Sequence, residues 1–272
     1  MVTRKAAPAL AAGYTVIIKT DGLTPYTANA IVKLGERAGI PSGVLNVVTA
    51  LEDTPRLGLA ICKSEAIRKV SFTGSTRVGK ILAENSGSTL KKLSLELGGN
   101  APFIVYDDAN MDTAVACCLK SKFKSSGQTC VCANRIYVQD AIFDAFVSRL
   151  AGEIANLQLG SGFNKQVDIG PLISQQAVTR VEEHIHDAGK QQLKTAGPQF
   201  FEPTLLAGLD DNMKVASEET FGPLAGIFRF STEIEVIRRA NDADLVCTGL
   251  EVSRIRGLDV KEVNMVWRNT SS

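Results

Sequence analysis

The sequence is short of several things that would define its chemistry at once. Only two histidines, His184 and His186, occur in 272 residues, and both fall in a polar stretch with helical spacing. The six cysteines, at 62, 117, 118, 130, 132 and 247, are too dispersed to form the compact disulfide framework of a small secreted domain. Cys130 and Cys132 make a C-x-C pair of the kind that holds soft metals, yet no histidine lies nearby, which argues against a metal site. No apolar run reaches the roughly 18 residues of a membrane span. Thirty basic against twenty-nine acidic side chains leave a formal charge of +1, so no overall field favours nucleic acid or an anionic membrane, and neither is expected as a partner. Internal repeats and low-complexity linkers are missing as well.

What is there has the composition of a folded globular chain, 44% hydrophobic and 22% charged, with length for one large or two smaller cores. Unpaired thiols indicate a reducing compartment. Arg4 and Lys5 precede an Ala-rich stretch as in a targeting peptide, but Pro8, Gly13 and Thr15 interrupt it and Lys19 closes it, so the run reads as part of the fold.

Short β-type runs alternate with helical patterns over the first third, which predicts βαβ units and an α/β fold. Residues 14–18, 44–48 and 67–72 read as three parallel strands, separated by a helix running from Thr24-Pro25 to Gly39 and by another near residues 55–62. Thr73-Gly74-Ser75-Thr76 then turns into a helix carrying Val78, Gly79 and Ile81. Small residues between a strand and a helix let backbone N–H groups face an anion such as a phosphate. The spacing G-x-x-x-x-G matches neither the dinucleotide fingerprint nor a Walker A loop, and a plain turn is the other reading.

Residues 91–97 alternate strictly, with Leu93, Leu95 and Leu97 on one face, and Glu96 stands near the end of this strand beside Gly98-Gly99. Its carboxylate reads either as a solvated edge residue or as a general base aimed into a cleft. Further on, Asp108 or Asn110 caps a helix, residues 135–138 form a strand and residues 142–157 a long amphipathic helix. A strand at 224–230 and a helix at 233–240 follow, and beyond Asn241 the regularity fades.

A lone cysteine is most often a buried small hydrophobe. Cys130 has a different setting, since Ser125-Ser126-Gly127-Gln128-Thr129 puts it in a small, polar loop just past a helix, where a thiol can be reached and activated.

Three stretches then carry a resemblance: Leu93-Ser94-Leu95-Glu96-Leu97-Gly98-Gly99-Asn100, Ser126-Gly127-Gln128-Thr129-Cys130, and Glu218-Glu219-Thr220-Phe221-Gly222-Pro223. In this order they resemble the signatures of the aldehyde dehydrogenase superfamily, and the run from Lys120 to Arg135 is most similar to its succinate-semialdehyde dehydrogenase branch. The resemblance covers residues 1–242. It implies an α/β fold with a partial Rossmann-type cofactor domain over 1–96, an α/β catalytic domain with the thiol over 97–243, and a divergent tail over 244–272.

The activity implied is oxidation of succinate semialdehyde, or a similar short carboxylated aldehyde, with NADP or NAD. Cys130 would attack the aldehyde and Glu96 would activate the water that hydrolyses the thioester. Lys19 and Gly22 would lie at the adenosine ribose, and Gly74, Ser75, Thr76 and Gly79 at the phosphates. Glu219 would hold the nicotinamide ribose with Phe221 beside it. Gly22 stands where NAD-preferring members carry a glutamate, and losing that carboxylate removes the main obstacle to a 2′-phosphate, so NADP is expected, alone or beside NAD.

Arg4 matches an arginine that holds the distal carboxylate in such enzymes, and Lys124 stands where a second arginine is usual. Lysine keeps the charge but loses the planar fork. Surface solvation is the other reading of both cations. Cys132 reads either as a redox partner able to form a disulfide with Cys130 or as a small packing residue.

The resemblance further implies a homo-oligomer in the full-length family and a cytoplasmic location, or a mitochondrial one if a leader precedes. It also implies a chain truncated at both ends, lacking the Trp-Asn-Phe-Pro-type segment whose Asn donates to the oxyanion. On that expectation a second function stays open, an inactive fragment that acts only through protein association.

Overall fold

The computed structural model describes residues 1–189 and 197–242; the expected tail over 244–272, with Cys247, lies outside the described residues. The chain divides after Leu97 into two compact units.

In the first unit the Ala-rich opening is a helix, α1 (Val2–Ala11), which contains Pro8 and buries Ala6. Strand β1 (Val16–Lys19) pairs in parallel with β2 (Leu45–Val48), across helix α2 (Pro25–Arg37). Pro25 in the first turn of α2 is pre-set for helical φ, and Gly39 just past its end takes φ +92, a left-handed conformation that glycine adopts without strain. Helix α3 (Thr54–Lys63) leads to β3 (Lys69–Gly74), which continues through α4 (Thr76–Ser86) into its parallel partner β4 (Lys92–Leu97).

The expectation of three parallel strands is thus met in pairs. Among the described residues β1–β2 and β3–β4 are separate two-stranded ladders, and the neighbour of β3 is the alternating strand that carries Glu96. Periodicity marks a strand but is silent about its partner. Contact of α4 with β4 depends on Gly79, which is buried, because a Cβ there would lie 2.4 Å from Leu97 Cδ2.

Among the described residues the second unit is built on four parallel strands in the order β5 (Pro102–Val105), β6 (Arg135–Gln139), β8 (Leu224–Phe230), β7 (Thr204–Leu209). The strands are joined by α5 (Met111–Phe123), α6 (Phe143–Ala155), α7 (Gln175–Asp187) and the single turn α8 (Lys214–Ser217), and α9 (Glu233–Asn241) follows β8. Both faces of the sheet are apolar, as in parallel sheets covered by helices on each side. Phe103, Val105, Ile136, Val138 and Ile227 pack with Cys118 of α5 and Phe146 and Leu150 of α6. On the other face Ile104, Tyr137 and Phe228 pack with Val178, Val181 and Ile185 of α7 and Val236 of α9. Truncating a fully buried ring such as Phe146 costs about 3–5 kcal/mol.

Side-chain caps fix the helix starts. Asn110 accepts from Thr113 N at α5, Ser174 from Ala177 N at α7, and Thr232 from Glu235 N at α9. The end of α9 is held by Arg135, a buried residue of β6. Its guanidinium donates to the carbonyls of Asn100 (2.8 Å), Arg239 (2.9 Å), Ala240 (2.9 Å) and Asp242 (3.2 Å). Among the described residues no helix is long and apolar enough to cross a membrane.

Candidate active site

Cys130 follows a tightly wound loop at the end of α5. Ser125, Ser126 and Gly127 take φ of 55°, 58° and 71° in succession. Left-handed serines cost about 1 kcal/mol or more each, and such conformations persist only where the surroundings impose them. Here the surroundings are residues 170–173. Ser126 Oγ accepts from Gly170 N (3.0 Å) and donates to Gly170 O (3.0 Å). Gln128 Oε1 accepts from Ile173 N (2.9 Å) while its Nε2 donates to Pro171 O (3.3 Å). A turn closed by Cys132 N donating to Thr129 O (3.1 Å) then separates the two thiols. Cys130 is partly exposed, whereas Cys132 is 1% exposed with its Sγ 3.1 Å from Thr129 Oγ1. The C-x-C pair therefore has one outward and one inward member.

The thiol loop lies directly against residues 218–223. A Cβ on Gly127 would fall 2.0 Å from the Gly222 carbonyl oxygen, and one on Gly222 would fall 2.4 Å from Val181 Cγ2 of α7. The Gly98-Gly99-Asn100 stretch reaches the same region. Asn100 Nδ2 donates to the carbonyls of Val215 (3.2 Å) and Ala216 (2.8 Å), and a Cβ on Gly98 would be 2.3 Å from Glu219 Oε2. Two of the sequence signatures and the end of the third thus converge within this unit.

Glu219 is the most informative member of that convergence. Burial pushes its carboxyl above the ordinary value, against the pull of the Gly99 N–H and the Lys122 and Arg180 charges, and its Oε1 has no hydrogen-bond partner among the described residues. An unpartnered buried carboxylate oxygen is costly unless a donor reaches it from outside the chain. Sugar hydroxyls are suitable donors. Phe221, two residues on, is 40% exposed.

Sequence reasoning missed two residues here. Lys122 of α5 is 0% exposed and donates from Nζ to Asn134 Oδ1 (2.7 Å) and Thr220 O (3.4 Å). Burial lowers its pKa to about 8, opposed by the nearby Cys132, Cys118 and Glu219. Helical spacing contained the signal, since Lys122 falls on the stripe of Ala114, Val115 and Cys118. His184 of α7, also 0% exposed, pairs through Nδ1 with Thr220 Oγ1 (2.7 Å) and through Nε2 with Glu218 Oε2 (3.3 Å). Burial holds its pKa below the ordinary value despite Glu218. The carboxylate only accepts, so Nε2 carries the proton and Nδ1 accepts from the Thr220 hydroxyl.

Lys124, by contrast, is exposed. It lines a cavity of 470 Å³ between α5 and α6 with Leu119, Lys120 and Arg149, and Cys130 is not among the lining residues.

The first unit holds the other expected site residues. Glu96 is half-buried near the end of β4; its Oε1 accepts from Lys5 Nζ (3.2 Å) and its Oε2 from Thr73 Oγ1 (3.2 Å). Burial raises its carboxyl, but the Lys5 hydrogen bond and charge, the Thr73 hydroxyl and the Arg4 charge together outweigh it and hold the pKa below the ordinary value. Glu96 is accordingly an ion-paired carboxylate and no simple edge residue. Arg4 is exposed on α1, and Lys19 is half-buried at the end of β1. A Cβ on Gly22 would lie 2.8 Å from both the Ala50 carbonyl oxygen and Leu51 Cα, so a side chain there would force the two segments apart. Gly74 and Ser75 are exposed at the start of α4, where Ser75 caps by accepting from Val78 N (3.4 Å), and Thr76 is half-buried. The exposed small residues at this helix start suit an anion such as a phosphate.

Known proteins resemble this chain. The family model described as "Aldehyde dehydrogenase family" matches residues 1–270, beyond the point at Asp242 where the signature resemblance ends. Succinate-semialdehyde dehydrogenase [NADP(+)] 1 of Schizosaccharomyces pombe is 48% identical over 99% of this chain and 57% of its own length. Glutarate-semialdehyde dehydrogenase of Pseudomonas putida is 48% identical over 99% of this chain and 58% of its own. The crystal structure of succinate-semialdehyde dehydrogenase from Burkholderia pseudomallei superposes with a TM-score of 0.86 at 48% identity, covering 89% of this chain and 52% of that one. The chain spans little more than half the length of the curated relatives it matches.

Proposed function

The chain belongs to the aldehyde dehydrogenase family, and from that premise we propose that it carries the thiol and part of the cofactor cradle of an oxidoreductase that converts succinate semialdehyde, or a similar short carboxylated aldehyde, to its acid. The single observation that carries this reading is the packing of the partly exposed Cys130 loop against the segment holding the unpartnered Glu219 oxygen.

In this reading Cys130 attacks the aldehyde carbon and forms a thiohemiacetal, whose loss of hydride leaves a thioester. The nicotinamide cofactor, when bound, supplies the hydride acceptor. Glu96 takes a proton from the water that attacks the thioester, which releases the acid and restores the thiol. Gly74, Ser75 and Thr76 would face the phosphates, and Gly79 would support them by letting α4 lie close on β4. Lys19 would hold the adenosine ribose, and Glu219, with Phe221 beside it, the nicotinamide ribose. Residues 1–96 would thus serve the cofactor and residues 97–243 the thiol chemistry.

NADP is the proposed cofactor, alone or beside NAD. The tight approach of Gly22 to Ala50 and Leu51 supports this, because it leaves no space for the carboxylate that would repel a 2′-phosphate. The name of the fission-yeast relative points the same way. A measured preference for NAD of about a hundredfold or more would overturn it. The exposed cations Arg4 and Lys124 are the proposed partners of the distal substrate carboxylate, a group shared by the substrates that the relatives' names specify.

The test is to purify the protein and follow nicotinamide reduction with succinate semialdehyde. Sustained turnover that disappears in Cys130→Ala supports the reading. A soluble, folded protein that neither turns over nor forms a thioester overturns it.

A further inference from the structure

Thr220, the neighbour of Glu219, is gripped from two sides. It is buried, its carbonyl accepts from Lys122 Nζ at 3.4 Å, and its hydroxyl donates to His184 Nδ1 at 2.7 Å. Both gripping side chains are fully buried, on helices whose neighbouring core positions are apolar: Val115 and Cys118 on α5, Val181 and Ile185 on α7. Packing alone does not call for a lysine and a histidine there, since burying such groups carries a desolvation cost that only specific partners offset.

The partners are specific. Lys122 reaches Asn134 as well, just past the turn that carries Cys130 and Cys132. His184 continues to Glu218, whose carboxylate also receives Arg180 at 3.0 Å. The charged and titratable groups around Lys122 are Cys118, Cys132 and Glu219; those around His184 are Glu218, Arg180 and Lys214. Residues 218 and 220 are therefore pinned on both sides of Glu219, while Gly98 and Gly99 lie against its carboxylate.

We propose that Lys122 and His184 are positioning residues for Glu219: by holding Thr220 through its carbonyl and its hydroxyl, they keep the unpartnered Oε1 turned toward the hydroxyls of the nicotinamide ribose. This rests on the cofactor reading given above. Neither side chain touches substrate or cofactor, and their effect passes through the backbone of residues 218–220.

The experiment compares two ligands on the full 272-residue chain. NADPH carries the nicotinamide ribose; adenosine 2′,5′-bisphosphate carries only the adenosine end. Binding of each is titrated by fluorescence or calorimetry for wild type, Lys122→Met, His184→Leu, His184→Gln and Thr220→Val. His184→Leu, Lys122→Met and Thr220→Val are expected to weaken NADPH about tenfold while leaving the bisphosphate unchanged. His184→Gln keeps one donor and one acceptor and is expected to restore most of the NADPH affinity. Thr220→Val alters shape little, so it reports even if a helix variant fails to fold. Unchanged NADPH affinity in folded Thr220→Val, or equal weakening of both ligands, overturns the positioning role and leaves the cofactor reading standing. Wild-type protein that binds NADPH no better than the bisphosphate overturns that reading and the proposal together.

Discussion

Gly127 and Gly222 meet without side chains between them: a Cβ on the first would fall 2.0 Å from the carbonyl oxygen of the second. Through this contact the loop preceding Cys130 rests on the backbone of residues 218–223. Because Gly127 also has φ +71°, a side chain there meets both a steric and a conformational barrier.

Gly127→Ala should therefore destabilise the protein by about 2–4 kcal/mol, the sum of overpacking against backbone and a left-handed non-glycine residue. Denaturant unfolding measures the first effect. The alkylation rate of Cys130 by iodoacetamide should change as the loop shifts, and an unaltered rate together with unaltered stability would contradict the contact.

Lys5 is the main counter-charge of Glu96, and the depressed carboxyl sets the sign of the pH effect. A carboxylate whose folded pKa lies below its ordinary value of 4.5 contributes stability above that value and loses it as pH falls through the folded value. In Lys5→Met the Glu96 carboxyl should rise, and the acid limb of the turnover profile should move to higher pH. Glu96→Gln should lower steady-state turnover about 100-fold or more while a burst of reduced nicotinamide survives. A burst lost in parallel with turnover would deny Glu96 its role in the hydrolytic step.

Lys122 gives a stability signal at the alkaline end. With its pKa lowered from 10.5 to about 8 in the folded state, the folded protein binds fewer protons than the unfolded chain between those values. Stability attributable to this residue should therefore rise with pH across that window, by about 3 kcal/mol in the limit. Parallel unfolding curves of wild type and Lys122→Met at several alkaline pH values check this, and equal slopes would exclude a buried, perturbed ammonium.

Lys124 distinguishes a substrate clamp from a surface charge. Lys124→Ala should raise KM for succinate semialdehyde about tenfold and leave KM for an uncharged aldehyde nearly unchanged. The residue lines the cavity between α5 and α6, which Cys130 does not line, so equal effects on both aldehydes would assign Lys124 to that cavity alone.

Much of this was legible in the residues because the signals were local. Pro25 and Gly39 bracket α2 as first-turn proline and left-handed glycine do, Asn110 caps α5, and the small polar loop before Cys130 announces an accessible thiol. Strands β5 and β7 were not recognised, because short apolar runs buried on both faces lack alternation and cannot be told from helix segments. Helix α1 was hidden by Pro8. Lys122 and His184 were passed over for another reason. A charged residue on a helix reads as solvated unless its position on the core stripe is weighed together with a partner distant in sequence, and Thr220 lies 98 residues from Lys122.

Arg135 directs most of its guanidinium hydrogen bonds to backbone carbonyls, at the end of α9 and at Asn100. The last turn of a helix ordinarily frays first and exchanges its amide protons fastest. Here fraying would strand a buried cation, so the final turn of α9 is locked to the centre of the sheet. Its amides will exchange with deuterium on the timescale of strand β6, and the last described helix opens only when the sheet does.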